Sequence, residues 1–306
     1  MITLDKLRDD WEHLAERDAL WAILTDSKKA GRKWEITEFM ATGESEISTV
    51  INYLAWIGCL PDCEGMALDF GCGVGRLTQA IAQRFASCVG VDISKQMISQ
   101  AEALNRFTHC GYVASSDPRL PFADNSFSFI YSNIVLQHVP RHISELYLRD
   151  FVRVLAPGGV LVFGVQDSDS SGFLVSLLMR TRQILRIRSR VKAALGLSAG
   201  NMQMHCLPER AVRSALGPAK IVDIQYTNTA ASDFNGKLVY SERAPAGGCV
   251  GKQYCVVKQP WSFDRAQTRK PDAQPGADLR QQTTENNRRF HRAAVPLPCS
   301  RLLVFL

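Results

Sequence analysis

No stretch of the chain approaches the roughly 18 consecutive apolar residues of a membrane-crossing helix. The greasiest runs, residues 159–165 and 173–179, are only seven residues long. The amino terminus, Met1-Ile2-Thr3-Leu4-Asp5-Lys6, has no apolar core followed by a small-residue cleavage site, so it does not read as a secretory signal. The nine cysteines are odd in number and follow no regular framework, and reduced thiols in the cytoplasm are the expectation. Cys59 and Cys63 lack a second pair, and Cys249 and Cys255 lack nearby histidines, so no metal is expected. No internal repeat is present. With 46% apolar and 22% charged residues, the composition excludes global disorder, collagen and coiled coil. A length of 306 residues makes one large domain or two small ones.

The net charge of +6 is unevenly placed. Residues 179–192 carry six bases and no acid, and residues 261–306 carry eight bases against four acids. The rest of the chain is therefore mildly acidic, and no nucleic-acid partner is expected. The basic stretch reads as one solvated face of an amphipathic helix over residues 171–197; the alternative is a contact surface for anionic lipid, an acyl carrier or a phosphorylated substrate.

Residues 1–60 read as a helical extension acting as a lid, with helical spacing in 44–56 and a connector at 28–43. From residue 66 short apolar runs alternate with helical periodicity. Strands are expected at 66–70, 87–92, 112–114, 128–132 and 160–165, and helices at 76–85, 93–107 and 143–155. That alternation implies a parallel sheet with crossover helices. A helix at 208–216 and strands at 220–226 and 253–258 complete a domain spanning 61–260, with a helical insertion at about 171–207. Residues 261–306 are rich in Gln, Arg, Asp, Asn and Pro and are expected to form a disordered tail.

The most informative segment is Asp69-Phe70-Gly71-Cys72-Gly73-Val74-Gly75-Arg76, placed between an expected strand and an expected helix. Glycines allow a sharp turn and close approach of a ligand to the backbone. Asp92 ends the next strand, where a carboxylate can accept both hydroxyls of a ribose. Turn and acid together point to an adenosine-containing ligand at the carboxyl edge of the sheet. The spacing G-x-G-x-G differs from the G-x-G-x-x-G of dinucleotide folds, and no Gly-Lys-Ser/Thr follows to make a P-loop.

Five landmarks now fall in order. Ala67-Leu68-Asp69-Phe70-Gly71-Cys72-Gly73-Val74-Gly75-Arg76-Leu77-Thr78 resembles motif I of the class I S-adenosylmethionine-dependent methyltransferases. Val89-Gly90-Val91-Asp92-Ile93-Ser94 is similar to their second motif. Leu120-Pro121-Phe122-Ala123-Asp124-Asn125-Ser126-Phe127, Val135-Leu136-Gln137-His138-Val139 and Arg153-Val154-Leu155-Ala156-Pro157-Gly158-Gly159 resemble later family segments. The stretch 34–43 looks like the extension of some bacterial members. The resemblance covers about residues 66–165 and leaves 261–306 unmatched.

It implies an α/β, Rossmann-like class I methyltransferase fold: a seven-stranded, mostly parallel sheet with helices on both faces and an antiparallel last strand. It also implies S-adenosyl-L-methionine as cofactor and a small-molecule methyl acceptor; oxygen, nitrogen and carbon all stay open to the transfer, and oxygen or nitrogen is the expectation. By the same resemblance Gly71, Gly73 and Gly75 sit against the methionine part of the cofactor, with Asp69 ordering the loop. Asp92 holds the ribose, Ile93 packs on the adenine, Asp117 meets the adenine amino group, and Ser132 and Asn133 line the methionine end. Cys72 is a small filler beside the cofactor. His138 is the candidate base, or else a structural histidine opening a helix. Met202, Met204, His205 and Cys206 are candidates for the acceptor pocket. A nicotinamide-dependent oxidoreductase and a non-catalytic cofactor-binding regulator stay open as alternatives.

Overall fold

The structure, a computed structural model, describes residues 3–167, 204–231, 234–244 and 250–259. The described residues belong to one unit, Met1–Ser262. The expected helix at 171–197, its basic stretch, Met202 and the tail lie outside the described residues.

Eight strands form one sheet in the order β3-β2-β1-β4-β5-β8-β6-β7. They are β1 (Met66–Phe70), β2 (Ser87–Asp92), β3 (Cys110–Ala114), β4 (Phe127–Ser132), β5 (Leu155–Asp167), β6 (Lys220–Thr227), β7 (Tyr240–Ser241) and β8 (Val250–Val257). β1 pairs in parallel with β2 on one side and with β4 on the other. β8 inserts antiparallel between β5 and β6. The chain runs outward from β1 to β3 and then returns to lay β4 beside β1. This reversal opens a crevice at the carboxyl ends of β1 and β4, where open α/β sheets bind ligands. The expectation was seven strands; the eighth is the two-residue β7 against the end of β6.

Helices cover both faces. α2 (Ile36–Trp56) and α3 (Arg76–Ala82) pack on one core, built on Phe129, Tyr131 and Val162 from β4 and β5. α5 (Arg141–Val154) and α6 (Glu209–Leu216) pack on the other, through Leu148, Phe151, Val212 and Leu216 against Ile130, Leu161 and Phe163. β1 is buried along nearly its whole length, as a strand covered on both faces must be. α4 (Lys95–Leu104) follows β2, and α1 (Leu4–Ile23) lies against it through Ala19, Ala22 and Met97.

The connector expected at 28–43 is corrected: α2 begins at Ile36 and runs through Gly43. A Cβ on Gly43 would lie 2.3 Å from the Arg76 carbonyl oxygen, so this glycine lets α2 meet α3 closely and does not break the helix. No helix among the described residues is long and apolar enough to cross a membrane.

Candidate functional site

The site begins with the turn after β1. Gly71, Gly73 and Gly75 take φ values of 77°, 52° and 83°, in the left-handed region that suits glycine. The Gly71 and Cys72 N–H groups donate to the Val91 carbonyl at 2.7 and 3.0 Å, pinning the turn to β2. A Cβ on Gly71 would lie 2.3 Å from Val135, and one on Gly73 would lie 2.5 Å from Ile23. Asp92 faces this turn from the end of β2. Its carboxylate accepts the Gly73 N–H at 2.8 Å and the Ser94 N–H at 2.9 Å. Burial pushes the Asp92 carboxyl above its ordinary value, and these backbone donors hold the rise in check.

Above the turn lies a cleft with about 720 Å³ of free space, its mouth included. Phe70, Gly71, Gly73, Asp92 and Ile93 form its floor, and Ser115 borders it from beyond β3. Leu7, Trp11, Ala22 and Ile23 of α1 form a roof. Ile134, Val135, His138 and Tyr147 form the far wall. His138 closes a single 3₁₀ turn, Leu136–His138, ahead of α5. Its ring meets Trp11 edge to face, with centroids 5.4 Å apart. Burial raises the Tyr147 phenol above its usual range, with the charges of Asp117 and Asp92 adding to the effect.

Beneath the wall lies a buried polar network. Glu46 of α2 accepts from Arg76 Nη2 at 2.8 Å, from the Tyr131 hydroxyl at 2.9 Å and from Asn133 Nδ2 at 2.7 Å. The Asn133 side-chain oxygen Oδ1 then accepts the N–H of Ile134, a branched residue held at a φ of 55°. A β-branched residue in that region is strained. The network fixes the strained turn that delivers Ile134 and Val135 to the cleft.

Of the sequence-expected residues, Gly71, Gly73, Asp92, Ile93 and His138 come together around the cleft. The others do not line it. Asp69 is buried beneath the turn and accepts from the Thr78 hydroxyl at 2.7 Å. Burial drives its carboxyl up to about 7, against the Thr78 bond and the Arg76 charge. The Cys72 thiol is buried, 3.6 Å from the Gly73 carbonyl and packed near Gly90. Burial and the neighbouring Asp92 and Asp69 charges raise that thiol well above the ordinary range, so it is a poor nucleophile. Gly75 caps α3 below Tyr112. Asp117 is exposed and accepts the Arg119 N–H at 2.8 Å, capping its own loop. Ser132 is buried at the end of β4, and Asn133 is committed to Glu46. Met204 is exposed; His205 and Cys206 are half-buried, and the His205 N–H donates to the Gln137 carbonyl. Among the described residues no group of His, Cys, Asp or Glu could hold a metal ion.

Sequence reasoning missed the roof residues Leu7 and Trp11 and the side chain of Glu12 beside them. Glu12 accepts from the Ser94 hydroxyl at 2.8 Å, the Lys95 N–H at 2.7 Å and the Gln96 N–H at 3.0 Å. The i, i+4 apolar pair Leu7 and Trp11 was the one available signal, and it names a buried face without naming its partner.

A crevice at the strand reversal, a glycine turn closed by the next strand's acid and a helix roofing the cleft are the parts of a nucleotide-binding α/β domain. Residues 68–163 match the methyltransferase domain family. A trans-aconitate 2-methyltransferase of Streptomyces avermitilis is 32% identical over 143 residues, which are 45% of this chain and 52% of that protein. A 24-methylenesterol C-methyltransferase 2 of Oryza sativa subsp. japonica is 39% identical over 100 residues, 31% of this chain and 27% of that one. The chain spans about half the length, or less, of these curated relatives. The crystal structure of magnesium protoporphyrin IX methyltransferase from Synechocystis PCC 6803 with bound S-adenosylhomocysteine superposes with a TM-score of 0.51 at 17% identity. That match covers 82% of this chain and 98% of that one, and it shows the shared fold. Residues 68–163 are thus similar to methyltransferase domains, and the fold is the one shared with the superposed methyltransferase structure.

Proposed function

We propose that the protein transfers the methyl group of S-adenosyl-L-methionine to a small molecule through oxygen or nitrogen. The observation that carries the reading is the juxtaposition of Gly71, Gly73 and Asp92 on the floor of one cleft, with the acid already ordering the turn. The residues fit the cofactor. The turn is a cradle with no room for side chains, since a Cβ at Gly71 or Gly73 would collide with Val135 or Ile23. Asp92 offers its remaining lone pairs to the ribose hydroxyls, and Ile93 offers an apolar edge to the adenine. When bound, the cofactor supplies an already electrophilic methyl on its sulfonium. The protein's own work is therefore to position the reactants and to keep water out.

Leu7, Trp11, Ile134 and Val135 make the cleft largely apolar and exclude water. Asp92 and the glycine turn set the depth and orientation of the cofactor. His138, at the far wall, takes the proton from an acceptor hydroxyl or amine that must lose one, whereas a carboxylate needs no base. The two relatives differ in acceptor, a trans-aconitate in one and a sterol in the other, so the choice of oxygen or nitrogen rests on His138 alone. Transfer of labelled methyl from S-adenosylmethionine to a panel of carboxylic acids, phenols, amines and apolar alkenes tests it. Label on an oxygen or nitrogen acceptor is expected. Label on carbon only, or on none of the panel, would contradict the proposal.

A further inference from the structure

The carboxylate of Glu12 belongs to α1 but completes the amino terminus of α4. Ser94 is the N-cap of α4, its hydroxyl accepting the Met97 N–H at 3.1 Å. The same hydroxyl donates to Glu12, and the Lys95 and Gln96 N–H groups of the first turn donate to the two Glu12 oxygens. Three donors at a helix amino terminus, where the backbone leaves N–H groups unpaired and the dipole favours an anion, are thus satisfied from another helix. Burial pushes the Glu12 carboxyl up, but the bonds from Gln96, Ser94 and Lys95 and the charge of Arg8 outweigh it and leave the acid below its usual value.

The connection continues to the cleft floor. The Ser94 N–H donates to Asp92 Oδ1, so the Glu12 carboxylate reaches the Asp92 carboxylate through one residue. On the neighbouring turn of α1, Leu7 and Trp11 roof the cleft, and Trp11 meets His138.

α1 is also divided. Asp18 leaves the helical conformation in mid-helix, and its carboxylate accepts N–H groups from Trp21, Gly31 and Arg32 at 3.3, 3.0 and 2.7 Å. Asp18 therefore ties the helix to the connector that follows it, and the Arg32 guanidinium of that connector donates to the Glu16 and Arg17 carbonyls just before the break. The segment before it carries Leu7, Trp11 and Glu12 and meets α4 through Glu12, through a bond from Gln100 to the Ala15 carbonyl, and through Leu14 and Ala15, which share a buried apolar cluster with Met97.

We infer that Glu12 is a positioning residue: by capping α4 it seats the first half of α1 over the cleft and couples that roof to the loop holding Asp92. The inference rests on the methyltransferase reading for its ligand and on the contacts alone for its geometry. Glu12 is the charged tie that holds Leu7 and Trp11 over the cofactor, so the contact slows the release of the bound cofactor.

The test has two arms. The first is hydrogen–deuterium exchange on the full-length, ligand-free chain, comparing wild type with Glu12→Ala and Glu12→Gln. Glu12→Ala is expected to speed exchange at least tenfold across residues 4–17 and at Lys95 and Gln96, with β1 and β4 unchanged. Glu12→Gln keeps one carbonyl acceptor and should recover part of the protection. Equal exchange in all three proteins would overturn the inference.

The second arm measures S-adenosylhomocysteine dissociation by stopped-flow tryptophan fluorescence, with steady-state kinetics beside it. Glu12→Ala should raise the dissociation rate about tenfold and raise KM for S-adenosylmethionine while kcat holds or rises. Parallel loss of kcat without a change in dissociation would mark a merely structural role and overturn the inference. If the wild-type chain bound no S-adenosylhomocysteine, the methyltransferase reading would fail, and the exchange arm alone would decide the contact.

Discussion

Arg76 and Glu46 form an ion pair inside the protein, Nη2 to Oε2 at 2.8 Å, with the two side chains 2% and 0% exposed. The pair joins α2 to the start of α3, directly after the glycine turn, and through Asn133 it reaches the cleft wall. Removing one partner of such a pair strands a buried charge. Glu46→Ala should therefore destabilise the fold by about 3–5 kcal/mol, read from urea denaturation. Tyr131→Phe, which removes one of three donors, should cost about 1 kcal/mol. A loss below about 1 kcal/mol for Glu46→Ala would show that water replaces the carboxylate without penalty.

Asp69 should make stability fall with rising pH. Its carboxyl titrates near 3.8 when free and at about 7 in the fold, chiefly because it is buried. The folded state therefore holds the proton more tightly than the unfolded one. Its contribution declines as pH climbs from about 4 to about 7 and levels off above that, a change on the order of 4 kcal/mol. Asp69→Asn can still accept from Thr78 and should flatten this part of the profile. Melting temperatures of the two proteins between pH 4 and 8 check it; parallel curves would mean that Asp69 is ionised throughout.

Gly71→Ala places a methyl at 2.3 Å from Val135 on a backbone with φ of 77°. Overpacking and the left-handed backbone together should cost about 2–5 kcal/mol. S-adenosylhomocysteine affinity should drop at least about tenfold, because the cradle is displaced. Gly111→Ala is the control, since nothing lies within 4 Å of its added carbon. If both variants bind like wild type, the turn does not contact the cofactor.

His138→Ala should lower kcat by about 10²–10⁴ on an acceptor that must lose a proton, with S-adenosylhomocysteine affinity nearly unchanged. A fall in kcat of less than about tenfold would return His138 to packing against Trp11.

The legible part of the site is local in sequence. Strand, glycine turn, helix, strand and acid all fall between Met66 and Asp92, and each carries its own signature of periodicity or φ requirement. Gly43 misled because a glycine at a helix–helix crossing looks the same in sequence as one that ends a helix; only the Arg76 carbonyl against it tells the two apart. Glu12 was invisible because its partners Ser94, Lys95 and Gln96 lie 82 to 84 residues away. An acid on an amphipathic helix gives no sign of which amino terminus it will cap. Asn133 marks a subtler limit. Its place at the end of β4 follows from the sequence pattern, but its commitment to Glu46 depends on where α2 lands.

The measurement that tests the account most directly is calorimetric titration of the wild-type chain and Asp92→Ala with S-adenosylhomocysteine, with NAD run alongside. Micromolar binding of S-adenosylhomocysteine and none of NAD is expected. The substitution should weaken that binding by about 2–4 kcal/mol, as two charge-assisted hydrogen bonds are lost. Binding of NAD in its place, or an affinity for S-adenosylhomocysteine that ignores the loss of Asp92, would contradict the account.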